Sequence, residues 1–169
     1  MQTFHEEQRF RQPWLWALLL VVAFGVGFPA LHELWVRYVA QPPGSQDSAP
    51  DSVLIAATLV TCIIALGIPL LFLVLRLEVD VGDGLVRIGF VPFHTRTINC
   101  ADIMSCNART YRPLLECGGW GIRRIRGGWA YTVAGNEGVE LTLRDGRRVL
   151  IGSARARDLT KAIDACRMS

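Results

Sequence analysis

Charge is missing from residues 53–75 (VLIAATLVTCIIALGIPLLFLVL), and that absence organises the chain. As a helix rising about 1.5 Å per residue the segment reaches roughly 35 Å, against a hydrocarbon core of about 30 Å. No water inside a bilayer satisfies backbone amides, so an isolated span of this kind is a helix. Histidine is scarce: His5, His32 and His94 are spread along the chain, and no His, carboxylate and nucleophile set can be read from them. His32-Glu33 is followed one helical turn on by Val36, which excludes the zinc-protease HExxH pattern. The five cysteines, Cys62, Cys100, Cys106, Cys117 and Cys166, include no CxxC pair. Zinc spacings and a disulfide framework are therefore not expected, and buried, reduced thiols are. GxxxxGK[ST] is absent, which excludes a P-loop, and the basic residues follow no nucleic-acid motif. No cofactor, metal, nucleic-acid partner or enzymatic activity is expected from these patterns.

What is present divides in two. With 169 residues, 51% of them hydrophobic and 20% charged, the chain is too apolar for an ordinary soluble domain and too charged for a helical bundle in lipid. Of its 18 basic residues 15 lie from Arg76 onward, together with 10 of the 15 acidic ones, so the C-terminal part carries a net charge of +5. Residues 1–12 read as a polar tail. Pro13 then opens an apolar run over residues 14–31, with Trp14 and Trp16 at one end and Trp35 and Tyr38 beyond the other as aromatic belts. A cleaved signal peptide is the competing reading, disfavoured by the length of the run, by Glu6 and Glu7 before it and by the poor cleavage site at Phe28-Pro29-Ala30. Helical spacing persists to residue 40 as an interfacial extension, and residues 41–52 (QPPGSQDSAPDS) form a flexible external loop. Ala23 and Gly27 on the first helix, with Ala56, Ala57 and Ala65 on the second, allow close packing, and Gly67 and Pro69 predict a kink. Arg9, Arg11 and Arg76 flank the spans on one side and Arg37 alone approaches the other, so both termini are expected in the cytoplasm.

Residues 76–169 read as β almost throughout. Alternation over residues 77–81 and 85–90 flanks Gly82-Asp83-Gly84, and residues 139–143 and 147–151 flank Asp145-Gly146, the strongest hairpin signal in the chain. Further strands are expected at 93–98, 103–109, 121–126 and 129–133. Leu159, Ile163 and Cys166 then form the apolar stripe of a terminal helix that begins after Ser153.

This layout, and above all the stretch GGWGIRRIRGGWAYTVAGNEGVELTLRDGRRVLIGSARARDLTKAI over residues 118–163, resembles bacterial pleckstrin-homology-like domains that follow two N-terminal transmembrane helices. The resemblance implies an α+β membrane protein: a transmembrane hairpin, a PH-like curled antiparallel sheet of seven or eight strands, and a C-terminal helix. It also implies a binding or assembly module at the bacterial inner membrane rather than an enzyme. Arg109, Arg112, Arg123, Arg124 and Arg126 form a candidate basic cluster for an anionic surface or an acidic partner. Gly118-Gly119-Trp120 and Gly127-Gly128-Trp129 are expected to serve turns and packing. In lipid-binding relatives of this fold the first hairpin loop is typically basic, whereas here it is the acidic Gly82-Asp83-Gly84, which speaks against capture of a specific headgroup. Two function classes stand: a membrane-anchored module holding a protein partner or a second copy on a sheet edge, and a lipid- or small-ligand-handling protein using the arginines and the kinked hairpin.

Overall fold

The computed structural model describes residues 4–40 and 51–168. The chain divides into two compact units, Met1–Phe10 with Val74–Ser169, and Arg11–Leu73.

The smaller unit holds α1 (Pro13–Trp35), which continues as a π-helical segment over Val36–Ala40, and α2 (Asp51–Val74). Pro13 sits in the first turn, where no amide hydrogen bond is lost. Both helices are long and apolar enough to cross a membrane, and only 6% of each apolar window is buried within the chain. Leu20, Phe24, Ile63 and Leu66 thus point outward, where a helix from the core of a soluble protein would bury them. The helices approach at small residues: a Cβ added at buried Gly27 would lie 3.7 Å from that of Ala65. Thr58 donates its hydroxyl to the Leu54 carbonyl at 3.0 Å, which keeps this polar group satisfied inside an apolar helix. Asp51 and Ser52, assigned to the loop from sequence, begin α2, which stays helical through Pro69. The rest of the expected external loop, residues 41–50, lies outside the described residues.

The larger unit has two sheets. The first, in the order β1-β2-β3-β4, consists of β1 (Phe4–Arg9), β2 (Arg76–Gly82), β3 (Leu85–Val91) and β4 (His94–Asn99). After a 3-10 turn at Cys100–Asp102 come β5 (Ile103–Thr110), the short α3 (Pro113–Cys117), β6 (Gly121–Ile125), β7 (Gly128–Thr132), β8 (Glu137–Leu143), β9 (Arg148–Gly152) and α4 (Ala156–Met168). The second sheet has the order β5-β8-β9-β7-β6. Alternate residues are buried on β2 (Leu77, Val79 and Val81) and on β8 (Val139 and Leu141), while β9, the middle strand of its sheet, buries Val149, Leu150 and Ile151 in a row. Leu159 and Ile163 of α4, both fully buried, complete the core, and α4 packs against β2, β5 and β8. Asp83 and Gly84 both take positive φ, as a tight two-residue hairpin turn demands.

Three features differ from the sequence reading. Residues 4–9, expected in a tail, form the edge strand β1, registered against β2 from Phe4↔Val81 to Arg9↔Arg76. The strand was hidden because its inward row is Phe4, Glu6 and Gln8, and two polar residues mask the period of two. Nine strands result among the described residues, not seven or eight, and β7 pairs with β9 in parallel, so the sheets are not wholly antiparallel. Finally, Cys100 and Cys166 form a disulfide with Cα atoms 5.9 Å apart, joining the turn after β4 to the end of α4. Their separation of 66 residues carries no local signal of that contact. Cys106 and Cys117 are buried free thiols.

Candidate functional site

The register of β4 on β3 sets Phe90 opposite His94, Ile88 opposite Arg96 and Val86 opposite Ile98. Directly opposed residues share a face, and Val86, Ile88 and Phe90 are buried, so His94, Arg96 and Ile98 occupy the inward row of β4. Along that row burial falls away, from buried Ile98 through half-buried Arg96 to exposed His94. On the second sheet Ile122 lies opposite Tyr131 and Arg124 opposite Trp129, while Tyr131 pairs with the buried Ile151 and Trp129 with the buried Val149. These rows face a cleft of about 660 Å3, lined by residues 94–97 of β4, by Ile122, Trp129 and Tyr131, and by Arg147 just before β9. Such a volume is within the range of about 300–1,000 Å3 typical of ligand sites. The His94 and Tyr131 rings stack across it, with centroids 6.1 Å apart and planes 6° from parallel.

Charge in the cleft is unevenly committed. Arg147 Nε donates to Asp145 Oδ2 at 2.5 Å, and that hydrogen bond holds the Asp145 carboxyl below its usual range. Among the described residues no acidic group lies within ion-pair distance of Arg96. One wall is therefore aromatic and aliphatic, and the other presents the Arg96 guanidinium between Thr95 and Thr97, outside any ion pair although its charge also helps to lower the Asp145 carboxyl.

The arginines grouped from sequence do not form one cluster: Arg109 and Arg123 fall on the Leu150 face of the second sheet, at opposite edges of it, and Arg124 on the other face. Arg109 on β5 is neutralised: its Nη1 donates to Glu116 of α3 at 2.7 Å, and its Nε lies 2.5 Å from Glu140 of β8. Arg112 precedes α3, its backbone amide donating to Glu116 at 2.7 Å. Arg123 and Arg124 are neighbours on one strand and so point to opposite faces, Arg124 on the cleft-side row and Arg123 on the row of Ala130. Arg126 is exposed in the β6–β7 turn. Chain proximity had suggested a cluster that strand alternation takes apart, whereas Arg96, Arg147 and His94 were left out. The signal that would have found them is a basic or polar residue on the row whose other members are apolar.

The two GGW repeats do different work. Gly118, in the left-handed region at φ 69°, donates to the Leu114 carbonyl at 3.2 Å, and Gly119 donates to Pro113 at 2.8 Å, which closes α3. The Trp120 indole donates to the Gly135 carbonyl at 3.1 Å. In the second repeat Gly127 turns the chain with φ 84°, and Gly128 lies against β9 so closely that a Cβ would fall 1.7 Å from the Arg148 carbonyl oxygen. Trp129 follows, half-exposed, on the cleft wall.

Burial pushes the Cys106 thiol up to about 12 and raises that of Cys117, the reverse of what a nucleophilic thiol needs. Burial likewise pushes the Tyr111 hydroxyl up to about 12. Tyr111 packs with Cys117, Ala130 and Leu150 on the opposite side of the second sheet from the cleft. The arrangement is suited to holding a ligand by shape, stacking and one positive charge. No protein-family model matches the chain, and no curated protein sequence matches it.

Proposed function

We propose that this protein is a membrane-anchored interaction module: two spans hold a PH-like β domain at the inner face of a bacterial plasma membrane, where an open sheet edge beside the cleft takes a protein partner. The observation that carries this reading is the attachment of the domain. β1 ends at Arg9 and α1 begins at Pro13, while α2 ends at Val74 and β2 begins at Arg76, so two neighbouring, paired strands each run almost directly into an apolar helix. A helix pair that leaves one sheet and returns to it sets both ends of the chain on the same side. The inner side is supported by Arg9, Arg11 and Arg76 flanking the spans, against Arg37 alone toward residues 41–50. The Cys100–Cys166 bridge pulls the other way, since such bridges persist in oxidising compartments. We give charge asymmetry the greater weight, because it acts at insertion and is permanent, while a pair of thiols close enough to bridge can also stay reduced.

The test is photocrosslinking in native membranes from residues placed at Thr95 and Thr97, with Arg157 of α4 as control. A heterologous adduct from the β4 positions alone supports the module. Self-adducts only would make it a homo-oligomer, and no adduct, with lipid co-purifying in dependence on Arg124 or Arg126, would favour the ligand-handling class.

A further inference from the structure

We propose that the cleft receives an extended peptide segment of a partner protein, added as a strand to the free edge of β4, with one carboxylate side chain seated on Arg96. This rests on the interaction-module reading and names the partner's chemistry.

β4 closes the first sheet on one side, and among the described residues its backbone pairs with β3 alone. The other edges are better covered. α4 packs on β5 and α3 on β6. β1 is tied to the start of α4: Gln8 donates to the Gly152 carbonyl at 3.1 Å, and Glu6 accepts from Ser153 and Ala154. Edge strands left open in this way are the substrate for strand addition, in which main-chain hydrogen bonds supply affinity and alternate side chains supply selectivity.

A strand paired with the six residues of β4 spans about 20 Å and sends every second side chain into the cleft, because opposed residues share a face. Those side chains meet Trp129 and Ile122 on one wall and the His94–Arg96 row on the other. The charge count selects one acid. Arg147 is committed to Asp145, Arg109 to Glu116 and Glu140, Arg123 faces away, and Arg124, though on the row of Trp129, does not line the cleft, which leaves Arg96 as the cleft-lining guanidinium outside any ion pair among the described residues, its charge reaching Asp145 only from beyond contact. A polyphosphorylated headgroup needs several converging cations; a single Asp or Glu in an otherwise apolar, alternating strand needs one, held by charge-assisted hydrogen bonds.

The test uses the full chain in lipid nanodiscs, selected against a display library of random nonapeptides. Wild-type protein should enrich sequences that alternate apolar residues with small polar ones and carry one Asp or Glu on the apolar row. For a selected peptide, Arg96→Gln should weaken binding about tenfold, Arg96→Lys should restore most of it, and replacing the peptide's acid by its amide should have little further effect in Arg96→Gln. Recovery by lysine shows that the fold is intact. Failure to enrich any sequence, enrichment without an acid, or equal affinity of wild type and Arg96→Gln each overturns the proposal, as does Arg96-dependent, salt-resistant binding to phosphatidylglycerol vesicles. The module reading fails separately: a partner crosslinked at Thr95 equally well in wild type and Arg96→Gln preserves the module and removes the acidic strand.

Discussion

Glu6 and Ser153, 147 positions apart, share a hydrogen bond of 2.5 Å in which the serine hydroxyl donates to the carboxylate. The other carboxylate oxygen accepts from the Ala154 amide at 2.9 Å and from Gln8 Nε2 at 2.9 Å. Ser153 in turn accepts from the Arg155 amide at 3.0 Å. The buried carboxylate satisfies the Ala154 amide two residues ahead of α4, while the Ser153 hydroxyl that donates to it takes the Arg155 amide. The segment before the first apolar helix is thereby fastened to the last helix of the chain.

Glu6→Ala should destabilise the larger unit by about 1–3 kcal/mol, because the Ser153 hydroxyl and the Ala154 amide lose their acceptor while still buried. Chemical denaturation of the detergent-solubilised protein, followed by circular dichroism, measures it. A matching fragment of residues 76–169 should aggregate, and restoring residues 1–10 through a flexible linker should return it to solution. A stable, monomeric fragment without residues 1–10 would contradict the role assigned to β1.

Gly128→Ala should cost about 3 kcal/mol or more, since the new Cβ would stand 1.7 Å from the Arg148 carbonyl oxygen and only movement of β7 away from β9 relieves it. Gly89→Ala is the control. There the nearest neighbour would be the Glu78 Cβ at 3.6 Å, an ordinary contact, and stability should change by less than about 1 kcal/mol. Equal melting temperatures for the two variants would show that the parallel pairing is not what Gly128 serves.

His5 Nδ1 lies 2.5 Å from Asp80 Oδ1 across the β1–β2 pair, and that hydrogen bond raises the histidine above its ordinary 6.5. A raised folded-state value stabilises the protein fully at pH below 6.5, and the contribution is lost as pH rises through the folded value. Both side chains are well exposed, at 63% and 48%, so the effect should stay below about 1 kcal/mol. The solubilised protein should be slightly more stable at pH 6 than at pH 8.5, and Asp80→Asn should abolish the difference; an unchanged profile in that variant would assign the pH dependence elsewhere.

If the domain lies on the cytoplasmic side, as proposed, cellular reductants should keep Cys100 and Cys166 as thiols, and the bridge should close only after extraction into air. Alkylation in intact cells with a permeant reagent, followed by peptide mass spectrometry, reads their state directly. A pair already bridged in cells would put the domain in an oxidising compartment. Impermeant labelling of Ser45→Cys then checks the same orientation independently, with labelling from outside expected.

The strands of residues 77–151 were legible because alternation survives wherever one face meets the core, and α1 and α2 because charge is absent. β1 was not, since Glu6 and Gln8 occupy inward positions where apolar residues would announce a strand. The cleft was missed for a related reason. Arg96 stands on the row of Ile98, and a polar residue there looks like the end of a strand until the register with Ile88 is known. Arg123 and Arg124 misled in the opposite sense, because closeness along an extended chain puts side chains on opposite faces. The Cys100–Cys166 contact depends on where α4 returns, which no local pattern encodes.

The position of β1 ahead of the apolar helices also orders events during synthesis. The strand is made before its partner β2, which emerges only after α1 and α2 have both been made. A chain that inserts one helix and stalls would leave β1 and β2 on opposite sides of the membrane, with the edge of β2 bare and Glu6 unable to reach Ser153. If the two helices insert as proposed, closure of the sheet requires both of them to be in place, and a half-inserted chain leaves bare the edge of β2 that β1 covers.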